Sequence, residues 1–419
     1  MTSKNSENAY KDQLPKLWSL VFVLIIALTF CCFVIGQGLN SGTSVYLVNA
    51  GYGAALPGAL AFVFSGSAAV CRLFLGPIID SNKCSLVIIC GIVVLIAGTL
   101  LTAVASNIPL FVCSRILQGL GFAAATTASA TAAANVLPQE RLGEGIGYYG
   151  LGQALATSVG PAFALWLVGT DPATNLFVGL SLVGIVGFFI ALNARYEKKI
   201  STLPVTSAYR VRYESSQEEE TSSQKSLKEL LNIFEPRALP GAIPMTILCP
   251  TFGFGIFFVG LYGTTLGYEH AGLFFTVSAI SMIAVRLGSK RFMDTVPAIK
   301  TFTVAVLCGL VSSAMLYFGA VSEAVFLASG IFYGLVLGIS LPLNQSVSVK
   351  NTPSERWGAT NALFLLCNDL GIGLSGLAWG CINDAFGFQV SIICVIVCQV
   401  LSYIAAWVFY PAGDKKWQG

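Results

Sequence analysis

Two charged residues stand inside long apolar stretches, and they define the chemistry open to this chain. Arg115 lies in LFVCSRILQGLGFAAATTASATAAANVL, shortly after Pro109, and Asp369 lies in ATNALFLLCNDLGIGLSGLAWG. A guanidinium at that depth either snorkels to water or needs an anion, a carboxylate or polar neighbours. Gln118, one helical turn along, can share its face. Asp369 is either a hydrogen-bonded acid that locks helix packing or a protonatable, cation-binding group facing a cavity. Asn361 and Asn368 are close to it in sequence. Gln37 and Asn40 in GQGLNSG either face a cavity or mark the water boundary. Tyr148, Tyr149 and Gln153 in GYYGLGQ and Asn344 and Gln345 in LPLNQS complete the cavity-lining candidates. These groups carry protons and shape electrostatics; they make no bonds. No clustered catalytic constellation accompanies them, so neither an enzyme nor a cofactor is expected. The 12 cysteines show no ligand spacing and fall almost entirely in or at the ends of apolar runs, as small packing residues, so no metal is expected either.

The elements that hold these residues must cross a membrane. Of 419 residues, 55% are hydrophobic and 10% charged, with mean hydropathy +0.77. A water-soluble surface takes roughly 25% charged residues. Separate apolar runs reach spanning length, roughly 17–25 residues. Twelve are read, near 18–40, 54–75, 84–105, 109–136, 144–167, 173–194, 239–262, 271–288, 298–318, 324–349, 358–380 and 388–410. With the N-terminus inside, every Lys and Arg except Arg115 falls on the cytoplasmic side or at a cytoplasmic helix end. The outer loops carry Asp171, Glu269, Glu323 and Asp384 and no basic residue. Positive charge is retained inside, so both termini are expected in the cytoplasm and the chain in the inner (plasma) membrane.

The twelve spans form two sets of six. Phe111, Ser114, Ile116, Gly119 and Leu120 find counterparts in Phe326, Ser329, Ile331, Gly334 and Leu335. Pro138, Glu140, Arg141 and Gly143 find theirs in Pro353, Glu355, Arg356 and Gly358. Arg72 and Asp80 recur as Arg286 and Asp294. Eight residues of helix separate each such pair by about 12 Å, so each arginine is expected to hold neighbouring helices, as part of a cytoplasmic latch with Gly76. The reading is an all-α polytopic membrane protein: a six-helix half over 15–194, a cytoplasmic linker over 195–237, a second half over 238–410 and a tail over 411–419. Leu227, Leu230, Leu231 and Phe234 give the end of the linker a helical apolar stripe, expected at the membrane interface. The proline- and glycine-rich start of helix 7 marks a cavity or bending point. The two halves differ where it counts: Arg115 stands opposite Gly330, and Asp369 opposite Ala154.

Gly76 and Asp80 match a glycine–three residues–aspartate motif between helices 2 and 3, although Ser81, Lys83 and Cys84 depart from its basic and glycine positions. Arg115, Gln118, Gly119 and Gly121 match a helix 4 motif. Gly152, Gly160 and Pro161 match a helix 5 antiporter motif, with Ala164 and Leu165 where it has a glycine pair. On these residues the chain resembles the major facilitator superfamily, in particular bacterial drug and metabolite efflux antiporters, from about residue 15 to 410. The resemblance implies two six-helix halves rocking about a central site, proton coupling through Arg115 and a latch that favours the outward-facing state. Independently of the resemblance, Pro161 after Gly160 removes a backbone donor and is expected to bend helix 5, as a permanent kink or a moving hinge. The resemblance also implies a proton-coupled exporter of a small organic molecule. A proton-coupled importer or an organic-anion exchanger is the alternative on the same fold. The expected partners are substrate, protons and membrane lipids, with no nucleic acid, for a protein that works as a monomer.

Overall fold

The computed structural model describes residues 17–80, 84–138, 141–170, 172, 174–198, 200–207, 209–211, 213–214, 236–350 and 357–414; within these, 73, 76–80, 142–144, 202, 287–295, 320, 349, 357–359, 361–362 and 411–414 are described by backbone alone. Among them are twelve long helices, and β structure is limited to an isolated bridge, Pro138 with Ser207. The first half holds α1 (Leu20–Asn49), α2 (Ala55–Asp80), α3 (Cys84–Ala103), α4 (Ile108–Val136), α5 (Leu142–Val168) and α6 (Asn175–Asn193). The second holds α7, α8 (Leu273–Thr295), α9 (Ala298–Phe318), α10 (Glu323–Lys350), α11 (Trp357–Phe386) and α12 (Phe388–Asp414). Helix α7 is composite: Leu239–Phe254, a π turn Gly255–Val259, then Gly260–Thr265. Among the described residues eleven spans are long and apolar enough to cross a membrane, and α8 adds the shorter apolar stretch Leu273–Arg286.

Local chemistry sets several helix starts. Ser19 accepts the Phe22 amide at 3.2 Å and Asn107 accepts the Leu110 amide at 3.0 Å, each satisfying a donor that a helix leaves orphaned. Pro109 follows Asn107, at a position that needs no amide. At the same end of the bundle as Asn107, α11 turns into α12 through Gly387 at φ 84°, a conformation other residues resist.

The duplication in the sequence is a duplication of packing. In the first half α1 packs on α5 and α6, α3 on α4 and α6, and α2 on α4. In the second, α7 packs on α11 and α12, α9 on α10 and α12, and α8 on α10. Small residues allow these contacts, as helix association in lipid requires. A methyl at Gly121 would strike the backbone of Leu95, and one at Gly334 the carbonyl of Ser278.

Helix α1 is longer than its apolar run. Hydropathy ends it near residue 40, but it continues to Asn49 through GQGLNSGTS, most of which is buried. Gly38 lies against the Gly160 carbonyl, Gly42 against Leu176, and Ser41 against Gly260. Backbone inside a membrane protein must keep its hydrogen bonds, so a polar segment enclosed by neighbours stays helical. Gln37 and Asn40 consequently lie well inside α1, not at its end.

The first part of the linker folds back on its own half. The Glu197 carboxylate accepts the Ser85 amide at 3.0 Å, the Asn135 amide donates to the Tyr196 hydroxyl at 3.0 Å, and Tyr209 packs edge-on to Tyr196. The stripe from Leu227 to Phe234 lies outside the described residues.

Candidate functional site

Arg115 is enclosed inside the first half and is only 2% exposed. Its guanidinium donates to the Leu39 carbonyl of α1 at 3.1 Å and to Gln118 Oε1 at 3.2 Å. Gln118 in turn donates to Thr102 Oγ1 at 2.7 Å and the Gly98 carbonyl at 3.0 Å, both on α3. The Phe64 ring of α2 lies 5.9 Å from the guanidinium carbon, within cation–π reach. One side chain therefore ties α4 to α1, α2 and α3. Its described partners are all neutral. The pairing with Gln118 follows from the helical spacing; the carbonyl of α1 does not, because it comes from tertiary packing.

In the second half the same place is built without a charge. Gly330 stands where Arg115 does and lies against the Phe274 carbonyl. Tyr333 stands where Gln118 does and donates its hydroxyl to the Phe252 carbonyl of α7 at 3.3 Å. The link from helix 10 to helix 7 is thus made by a phenol in place of a guanidinium.

Asp369 lies elsewhere, on the seam between the halves. It stands about 18 Å along α11 from its first residue and about 25 Å from its last. Its carboxylate meets Arg72 of α2 at 3.2 Å, with the side chains 20% and 17% exposed. The seam runs along both helices: Ser65 meets Gly373, Ala61 meets Gly376 and Gly58 meets Gly380. The related helices α5 and α8 form a second seam, where Arg286 donates to the Gly150 carbonyl at 3.1 Å. Arg72 and Arg286 thus both reach into the opposite half. The sequence suggested arginines holding neighbouring helices at one face; the partners lie across the pseudo-twofold axis. The side chains of Gly76, Asp80, Asp294 and Asn361 lie outside the described residues.

Helix order, internal twofold packing and a cross-half ion pair agree with a single class of membrane protein. A sequence profile for the Major Facilitator Superfamily matches residues 25–376. The chain belongs to that superfamily. Among its curated relatives, the staphylopine export protein of Staphylococcus aureus is 30% identical over 305 residues, covering 70% of this chain and 72% of that protein. An uncharacterized MFS-type transporter, YhcA of Bacillus subtilis, is 31% identical over 107 residues, 25% of this chain and 20% of its own length. In structure the chain is similar to the nucleoside transporter NupG at TM-score 0.67 and 14% identity, covering 95% of this chain and 100% of that one. A point mutant of NupG gives TM-score 0.71 at 13% identity, covering 93% and 99%. At such identity the likeness shows the fold.

The remaining candidates of this superfamily member divide by environment. Asn344 is fully buried; it accepts from Tyr410 of α12 at 2.9 Å and donates to the Ser340 carbonyl at 2.8 Å. It is a packing node of the second half, as Asn135 with Tyr196 is of the first. Asn368 accepts from the Cys249 thiol at 3.1 Å, joining α11 to α7. Tyr149 is buried, with Thr29 Oγ1 at 3.4 Å from its hydroxyl, whereas Tyr148 is 37% exposed and packs at a tilt against Trp18. Gln153 and Gln345 are half-buried. Gly160 and Pro161 lie within a continuous α5, with Gly160 against the Val34 carbonyl. The hydrogen-bond register changes in α7, at the π turn Gly255–Val259 that follows Pro250.

Sequence reasoning passed over Arg72 as the partner of Asp369, and it read Asp384 as an outer-loop acid, whereas the residue lies in the last turn of α11. Asp384 of α11 accepts the amides of Ala54 and Ala55 at the start of α2. The only sequence signal for either was charge near a helix end.

Proposed function

We propose that this chain is a proton-coupled exporter of a small organic molecule that works by alternating access. The observation that carries the proposal is the ion pair between Asp369 and Arg72. Ionised, Asp369 holds the guanidinium and with it the two halves. Protonated, it loses that attraction, and α2 is freer to part from α11. Proton arrival and separation of the halves become one event, so a proton gradient can drive the conformational cycle. Export as the direction is supported by the relative named as an export protein.

The sorting of basic residues supports a multi-pass protein in the inner membrane with both termini in the cytoplasm. On that orientation the turn between α1 and α2 and the end of α11 face outward. The halves are then held together toward the outside, in the state from which a cytoplasmic substrate is taken up. The chain works as a monomer, its outward-pointing Leu, Ile and Val side chains in contact with lipid. Arg115 acts from within the first half, fixing α1 and α4 where they border the central cavity, and Gln37, Tyr148, Gln153, Gln345 and Asn361 are the lining candidates.

Everted vesicles with an imposed proton gradient, presented with a panel of radiolabelled metabolites, test both direction and coupling. Asp369→Asn should cut gradient-driven accumulation at least about tenfold, an order appropriate to a lost buried charge pair. Unchanged accumulation at matched expression across pH would remove Asp369 from the coupling.

A further inference from the structure

Asp384 occupies the last turn of α11, in the second half, yet its carboxylate caps a helix of the first. One oxygen accepts the Ala54 amide, and the other accepts the Ala55 amide at 2.7 Å. Ala55 opens α2, so these are donors that a helix leaves without an internal partner. Gly53 completes the fit, because a methyl there would run into the carboxylate. Just below, the backbones of Gly58 and Gly380 touch. A cap normally belongs to the helix it closes; this one is made between two bodies that transport requires to separate.

Two further features mark the contact. Gly380 and Asp384 repeat, at the end of α11, the spacing of Gly76 and Asp80 at the far end of α2. At the second seam the position related to Asp384 is Gly169, the residue just after α5, which has no carboxylate to offer. When the halves part at this end, the amides and the carboxylate both pass to water. The stabilisation from the cap is therefore present in one state of the cycle and absent in the other.

We propose that Asp384 is a state-selective latch, a positioning residue that holds α2 to α11 while this end is closed and sets how often it opens. The proposal rests on the alternating-access reading and the orientation given above.

The test is modification of Ser65→Cys by a membrane-impermeant maleimide added outside intact cells. Ser65 is buried against Gly373 in the seam. Cys381, exposed near the same end, is replaced by serine, and the same protein without the reporter gives the background. Asp384→Ala should raise the labelling rate about fivefold, the population change that matches loss of one helix cap. Asp384→Asn should raise it less, since an amide oxygen still accepts. Ala55→Pro removes a donor from the other side of the contact, at the first helical position, which tolerates proline, and should also raise labelling. Combined with Asp384→Ala, it should add little, because both remove one interaction. Unchanged labelling in the single variants, fully additive effects, or a rise seen only from the cytoplasmic face would overturn the latch. Labelling needs neither substrate nor gradient, so an exporter coupled through some residue other than Asp369 would still show the rise.

Discussion

Arg115 and Asp369 look alike in the sequence, as single charges in apolar helices, but the structure separates their duties. Arg115 satisfies the Leu39 carbonyl and orders Gln118 inside one half. Arg115→Ala removes donors from a closed site, where an unmet polar group costs about 1–3 kcal/mol. The expected outcome is a clearly lower thermal midpoint in detergent. Arg115→Lys should restore little of it, since an ammonium lacks the planar fork that spans two acceptors. An unchanged midpoint for Arg115→Ala would contradict the tie. Asp369, by contrast, acts between halves. Arg72→Ala should weaken the closed seam on the order of 3 kcal/mol. The exchanged pair Arg72→Asp with Asp369→Arg should recover part of the transport lost in either single change. No recovery would mean that the two side chains act separately. The sequence placed Arg115 beside Gln118 through helical spacing, but its other acceptor and the partner of Asp369 come from other helices, beyond the reach of any local pattern.

At the level of elements, the seam between α2 and α11 depends on missing side chains. A methyl at Gly58 would strike the Gly376 carbonyl, and Gly373 and Gly380 face equally close neighbours. Gly58→Val forces a branched side chain into that contact, and overpacking of this kind costs about 1–3 kcal/mol. The variant should fold, because each half keeps its own contacts, but should favour the state in which the seam is parted. Faster maleimide labelling of Ser65→Cys in the Gly58→Val background checks this; equal labelling would show that the seam tolerates the extra volume. Glycine-rich helices were visible in the sequence. Which helix each glycine serves was not, because small-residue patterns permit close approach without naming the partner. The full length of α1 was hidden for a related reason: its polar outer third is helical only because α5, α6 and α7 enclose it.

For the whole molecule, the distribution of charge predicts topology. A cysteine placed in the linker, as Gln217→Cys, should react with an impermeant maleimide only after the cells are permeabilised. Labelling of intact cells would reverse the orientation and, with it, the side on which Asp384 acts. The fold of two related halves was legible because it rests on features that survive in one dimension: runs of spanning length, sorted charge and a repeated motif around a polar turn. The repeat also pointed to the asymmetry between Arg115 and Gly330, which the structure explains as two ways of holding helix 1 or helix 7 to the helix 4 or helix 10 beside it.

By itself, the sequence determined a twelve-helix membrane protein in two halves, with one basic and one acidic residue lacking counterparts. Hydropathy and periodicity are properties of single segments, so they suffice for that. Only the tertiary structure decided that Arg115 is sealed inside one half, that Arg72 and Arg286 reach across to the other, and that Asp384 caps a helix it is not joined to. Each of these depends on the approach of helices far apart in the chain. In a membrane, that approach is set by packing and by the need to satisfy every enclosed polar group.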